Sequence, residues 1–351
     1  MKKLLLVLVC VFALASLVGC KESNEEKEYK LGMGVVVSTA SSKNAKLAQI
    51  DATVAAVVVE GGKIVACRLD AVQNKITVTA EGGVTVPTEF KTKMELGDDY
   101  NMAKRGQELK LDWNKDGVVK EWYYQAKAFE AHVVGKTAQE VKDMPTKTVE
   151  DYVISAEDSL LAAGCTIQIT DFKAAVAKAC EDAQGTTFKT SETFTLGVAA
   201  TSFDEESKSA TGSAAGAVQV YSDFAASVVV GGKIAASLND AIQPKFAISA
   251  TGEVTASFTA TKRELKEDYN MAERGQSMDW NKDGVVKEWY LQSFEFSKHV
   301  VGKTAQEVLD MPTKTVEDYV ISAEDSLLTA GCTIQITSIK AVVAKSVNNA
   351  R

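Results

Sequence analysis

Histidine and proline are scarce in this chain. Its 351 residues include two histidines, His132 and His299, and four prolines. So few imidazoles leave little room for a histidine-rich metal centre. The six cysteines form no CxxC, CxxCH or Cys/His group, which sets aside haem, iron–sulfur and structural zinc. A GxSxG elbow and a glycine-rich phosphate loop are both missing, so nothing points to a hydrolase. Positive charge is short as well: 39 Lys and Arg face 47 Asp and Glu, for a formal net charge of −8. That balance argues against nucleic acid as a partner, because such binding rests on neutralising phosphates. Beyond the first 19 residues no apolar run is long enough to span a bilayer.

The first residues do carry a signal. Met1-Lys2-Lys3 precedes an apolar run from Leu4 to Val18, broken by Cys10 and Ser16. These are the charged and apolar regions of a secretory signal, shorter than the ~20 apolar residues of a comfortable membrane span. The run ends Leu17-Val18-Gly19-Cys20, the bacterial lipobox pattern. We expect a signal peptide over 1–19, lipid (palmitate among the acyl groups) on Cys20, and a charged tether over 20–30. A buried hydrophobic helix is the competing reading, and the polar stretch Lys21 to Lys30 speaks against it. The expected location is the extracellular face of the cell membrane, where two or more acyl chains hold stably and one holds weakly. Removing Lys2 and Lys3 takes the formal charge from −8 to −10.

The chain then repeats itself. Trp113 to Tyr123 returns unchanged as Trp280 to Tyr290, and His132 to Val141 as His299 to Val308. Asp143 to Leu161 returns as Asp310 to Leu328, and Gly164 to Thr170 as Gly331 to Thr337. Leu31-Gly32 matches Leu196-Gly197 in the looser first halves. So long a period means tandem domains, not a solenoid. We place repeat 1 at 31–183, a linker at 184–195 and repeat 2 at 196–348.

Within each repeat the pattern reads as strands, then helices. Val54 to Val59 and Ile64 to Leu69 are β-rich, and Gly61-Gly62 between them suits a tight hairpin. Lys75 to Ala80 reads as a third strand. Trp122, Ala126, Phe129 and Val133 then fall on one helical face, with Gly135 placed to end that helix. Thr137 to Glu140 forms a capping box, and Cys165 to Thr170 alternates like a strand. Phe172, Val176 and Ala179 mark a last helix. This order argues an α+β fold, two tandem homologous domains, each a small antiparallel sheet followed by packed helices. Cys67 and Cys180 can pair in an oxidising compartment, but irregular spacing favours isolated buried thiols. The histidines read as partly exposed helix residues with no evident catalytic partner.

Asp112, Asn114 and Asp116 with Gly117, and Asp279, Asn281 and Asp283 with Gly284, have the spacing of a calcium loop. Position twelve, which should bring a bidentate Glu, is Tyr123 or Tyr290, and Glu121 and Glu288 sit two residues early. Either these loops hold calcium or they are solvated turns ahead of a helix.

Each repeat closes on Ala-Gly-Cys-Thr: Ala163 to Thr166, and Ala330 to Thr333. This resembles the closing motif of FMN-binding domains in which a flavin transferase esterifies FMN phosphate to a Thr or Ser. The acceptor there must be a hydroxyl with small neighbours. The resemblance implies Thr166 and Thr333 as acceptors, with Gly164 and Gly331 as the motif glycines. Ala163 and Ala330 stand where Ser is usual, Cys165 and Cys332 where Ala is usual, and Leu160 and Leu327 at the aspartate position. The order Leu31 to Val37, Asp51 to Ala56, Asp70 to Gln73, Lys91 to Met102, Lys120 to Tyr123 and Val134 to Thr137 extends the likeness. It resembles the Gram-positive surface lipoproteins with tandem covalent-FMN-binding domains, of the extracellular electron transfer and pheromone-precursor type.

That resemblance implies a membrane-anchored carrier and not a turnover enzyme, with no catalytic residue of its own. Its partners would be a flavin transferase, a membrane quinone oxidoreductase and extracellular electron acceptors. The competing reading is a cofactor-free, calcium-stabilised binding or structural lipoprotein of the cell surface.

Overall fold

A computed structural model of the chain describes residues 25–109, 118–183, 185–257, 260–275 and 285–351. The expected signal segment 1–19, Cys20, and the loop residues Asp112, Asn114, Asp116, Asp279, Asn281 and Asp283 lie outside the described residues.

Repeat 1 opens with β1 (Lys27–Ser38), β2 (Leu47–Glu60), β3 (Lys63–Val78) and β4 (Val84–Thr85). The short helices α1 (Lys93–Leu96) and α2 (Met102–Glu108) precede α3 (Trp122–Val133) and α4 (Ala138–Lys142). A small hairpin, β5 (Thr146–Val149) and β6 (Tyr152–Ser155), leads to α5 (Asp158–Ala162) and α6 (Thr170–Asp182). After β7 (Thr186–Thr190), repeat 2 follows the same plan. Its strands are β8 (Phe194–Asp204), β9 (Gly216–Val230), β10 (Lys233–Ile242), β11 (Lys245–Ile248) and β12 (Val254–Ala256). Its helices are α7 (Lys262–Leu265), α8 (Met271–Arg274), α9 (Trp289–His299) and α10 (Ala305–Leu309). The hairpin β13 (Thr313–Val316) and β14 (Tyr319–Ser322) precedes α11 (Asp325–Thr329) and α12 (Thr337–Asn348). The fold is α+β, with a sheet-then-helix unit in each half.

All pairings among the named strands are antiparallel. The first sheet runs β4-β3-β2-β1-β7, and in the second β9 pairs with β8, β10 and β11. Two strand expectations need correction. Lys75 to Ala80 is no separate strand: β2 is long enough that Leu47 pairs with Thr77, so β3 runs unbroken to Val78. Cys165 to Thr170 is not a strand: the Gln125 side chain takes the place of a neighbouring strand at Thr166 and Ile167, and Thr170 already opens α6. β1 begins at Lys27, within the stretch 20–30, and β7, within 184–195, pairs with it.

Period-two alternation divides each sheet between two cores. Leu31, Met33, Ile50 and Val54 meet Leu196, Val198, Phe224 and Phe246 between the two sheets. Val57 and Leu69 face Trp122, Phe129 and Phe172 on the helices of repeat 1. Ala225 and Ile234 face Trp289, Phe296 and Val342 in repeat 2. The layers are therefore helices, sheet, sheet, helices. The helix over each sheet rides close on a glycine. A Cβ at Gly32 would come within 1.9 Å of Ala179 O, and one at Gly197 within 1.8 Å of Ser346 O. That close approach explains the repeated Leu-Gly pair.

Matched ion pairs cross between the halves. Lys178 of α6 reaches Glu264 at 2.6 Å, and Lys345 of α12 reaches Glu95 at 2.7 Å. Arg263 meets Asp182 at 2.7 and 3.2 Å, and Arg351 meets the buried Glu130 at 2.8 and 2.9 Å.

Candidate functional site: the glutamine clamp and its cleft

The segment before the last helix of each repeat needs partners for its backbone. In repeat 1 the Gln125 carbonyl oxygen on α3 accepts from the N–H of Thr166 at 2.8 Å and of Ile167 at 2.9 Å. Gln125 Nε2 donates to Lys120 O at 2.7 Å, which fixes the amide's orientation. Repeat 2 reproduces the clamp. Gln292 Oε1 accepts from Thr333 N at 2.7 Å and Ile334 N at 3.0 Å, and Gln292 Nε2 donates to Lys287 O at 2.7 Å. Each threonine hydroxyl also points at its glutamine oxygen, 3.4 Å away in repeat 1 and 3.3 Å in repeat 2. Helical periodicity hid these glutamines, which lie on the buried face among apolar residues.

The motif glycines have a structural reason of their own. Gly164 has φ +89° and Gly331 φ +84°, a left-handed conformation that L side chains rarely adopt. A Cβ there would also press on Lys120 or Lys287, at 2.6 and 2.7 Å. Thr166 and Thr333 are 3% and 5% exposed.

Thr333 lines a cleft of about 180 Å³ bounded by the helices and the outer end of the second sheet. Lys262, 4% exposed, is its central cation. Its Nζ donates to Tyr221 Oη at 3.0 Å and lies over the rings of Tyr221, Tyr269 and Trp289, at 4.3, 4.9 and 5.2 Å. Such a ring of π faces offsets part of the cost of burying an ammonium group. Burial and the neighbouring Tyr269 hold the Tyr221 phenol well above its ordinary pKa. Asp223, also in the lining, is buried, and its Oδ2 has no hydrogen-bond partner. Across the strand pair stands Thr201, whose Oγ1 is equally unpartnered. Burial raises the Asp223 pKa, while Ser338 and Lys262 pull it back.

Equivalent positions in repeat 1 carry different chemistry. Lys93 lies over Tyr100 at 5.1 Å and Trp122 at 5.6 Å. Strand register puts Asp51 where repeat 2 has Tyr221, and Thr53 where it has Asp223. Both Asp51 oxygens are satisfied, by Gln49 at 2.7 Å and Gln73 at 3.0 Å. Asp171 replaces Ser338, and burial raises its pKa against the pull of Lys93.

Other sequence candidates find structural employment. Glu121 accepts from Met102 N at 2.8 Å and Ala103 N at 3.0 Å, and Glu288 from Met271 N and Ala272 N at 2.8 and 3.1 Å. These carboxylates bind the first turn of the preceding short helix, α2 or α8, where the helix end favours negative charge. Cys67, Cys165, Cys180 and Cys332 are free and buried, so Cys67 and Cys180 do not pair. Burial pushes Cys165 and Cys332 up to about 12, which leaves them poor nucleophiles. The histidines do have carboxylate partners, Glu157 at 2.5 Å from His132 and Glu324 beside His299. Both partners are 25 residues away, beyond any local spacing signal. Neither histidine lines the Thr333 cleft. Among the described residues no cluster of three His, Cys, Asp or Glu is arranged to hold a metal, and no helix is long and apolar enough to cross a membrane.

No family model, curated protein or solved structure matches this chain.

Proposed function

We propose that this chain is a membrane-anchored extracellular flavoprotein, with FMN esterified through its phosphate to Thr333 and Thr166. It would relay electrons from a membrane quinone oxidoreductase to acceptors outside the cell. One observation carries the reading: Thr333, singled out by the Gly-Cys-Thr motif, lines a cleft walled by aromatic rings around a buried lysine. The unpartnered Asp223 oxygen in the cleft lining fits a polar ligand there.

The residues have separate tasks in this proposal. Gln292 holds the backbone of Thr333 and Ile334 so that the acceptor stays at the cleft wall. Its bond to the hydroxyl is long, at 3.3 Å, so swinging Oγ1 toward a phosphate costs on the order of 1 kcal/mol. Trp289, Tyr221 and Tyr269 offer faces to a flat ring, and Lys262 offers positive charge to an electron-rich edge. Bound FMN supplies the electron-transfer chemistry itself. The cleft of about 180 Å³ is smaller than the ~300–1,000 Å³ of enclosed ligand sites. A ring system held there by one edge would leave the other edge open to a redox partner. A lipid on Cys20 would keep both groups within reach of a membrane donor.

The test is in-gel flavin fluorescence after denaturation, with the chain exported alongside a flavin transferase. Wild type should fluoresce, Thr166→Ala and Thr333→Ala should each lose about half, and the double variant should be dark. Undiminished fluorescence in the double variant would overturn the assignment.

A further inference from the structure

The second cleft contains more than aromatic walls. Asp223 is 4% exposed, and its Oδ2 is one of the few buried side-chain atoms without a partner among the described residues. Leaving a carboxylate oxygen buried and unpaired costs stability, more so when the group is charged. Such a cost is expected where a ligand completes the bond. Lys262, the cation facing the same space, makes a cationic ligand a poor fit, since like charges would meet. What suits an unpaired acceptor beside an ammonium donor is a flat group with an N–H next to a carbonyl. The flanking rings of Tyr221, Tyr269 and Trp289 suit a flat heterocycle.

We propose that the repeat 2 cleft recognises the imide edge of a planar heterocycle, with Asp223 Oδ2 accepting the ring N–H and Lys262 Nζ donating to the adjacent carbonyl. This rests on the flavin reading in one respect, since the isoalloxazine ring carries such an edge. It goes further in naming which edge enters and in confining the recognition to repeat 2. Repeat 1 has Thr53 at the Asp223 position, and its nearby Asp51 is fully occupied by Gln49 and Gln73.

The test uses the full chain expressed without any flavin transferase, titrated with lumiflavin and with N3-methyl-lumiflavin by fluorescence quenching. Neither probe has a phosphate, so covalent attachment plays no part. Lumiflavin should bind at one site per chain, and methylating the imide nitrogen should weaken it about tenfold or more, the scale of one charge-assisted hydrogen bond. Asp223→Asn should lose a similar factor for lumiflavin and much less for the methylated probe, while Asp51→Asn should leave both unchanged. Equal binding of the two probes by wild type, or no lumiflavin binding at all, would overturn the proposal, even if Asp223→Asn folds poorly. Failure of the flavin reading shows elsewhere, as absent fluorescence on the denaturing gel while lumiflavin still binds.

Discussion

Both repeats build the same clamp, but among the described residues the buried, unpaired carboxylate oxygen beside it belongs to Asp223 of the second. Gln125 and Gln292 hold their threonine segments with nearly identical distances. Their surroundings diverge: Asp51, Thr53 and Asp171 on one side, Tyr221, Asp223 and Ser338 on the other. The shared part lies in the nearly identical second halves of the repeats. Most of the divergent part lies on strands of the looser first halves. A scaffold that presents a threonine has been kept twice, while the strand wall facing it has changed.

Substituting the clamps should give the largest effect. Gln125→Ala or Gln292→Ala strands two buried backbone N–H groups and a cavity, so each should cost about 3 kcal/mol. Denaturant melts that differ between the two variants by more than about 1 kcal/mol would break the equivalence of the two clamps. Next come the glycines. Gly164→Ala and Gly331→Ala force a Cβ into a left-handed backbone against a flexible lysine, and each should cost about 1–2 kcal/mol. A neutral outcome at either position would mean that its backbone relaxes.

The smallest expected effect is in the pH response. Burial raises Asp70 and Asp240, one per repeat, from 3.8 to about 6. Each carboxylate accepts from the backbone of the short helix it faces, Met94 N at 3.2 Å and Arg263 N at 3.1 Å. Between those pH values the folded chain binds more protons than the unfolded one. Their stabilising contribution is present below the unfolded pKa and is lost as pH rises through about 6. Asp70→Asn and Asp240→Asn should each flatten the fall in Tm from pH 4 to pH 7. If only one does so, the two helix contacts are not equivalent.

Much of the fold was legible because it rests on period and on turn residues. The Gly61-Gly62 hairpin, the Trp122 helix ending at Gly135 and the Thr137–Glu140 capping box all follow from local pattern. What local pattern could not show was anything settled by distant partners. Cys165 to Thr170 alternates like a strand, but Gln125, some 40 residues earlier, supplies its hydrogen bonds. Glu121 and Glu288 looked like displaced calcium ligands, whereas each is committed to two backbone N–H groups. Motif resemblance points to Thr166 and Thr333 as the proposed acceptors. It does not point to the lysine and its aromatic neighbours, because Lys262, Tyr221 and Trp289 come from three separate segments. Their one sequence trace is the Thr-Lys opening of a short capped helix at both Thr92-Lys93 and Thr261-Lys262.

In the proposed flavoprotein, Thr166 and Thr333 carry the flavin. Intact mass spectrometry of the exported chain, produced with a flavin transferase, tests it most directly. Added mass corresponding to two FMN groups is expected, located by peptide mapping at Thr166 and Thr333. An unshifted mass in the presence of an active transferase would contradict it.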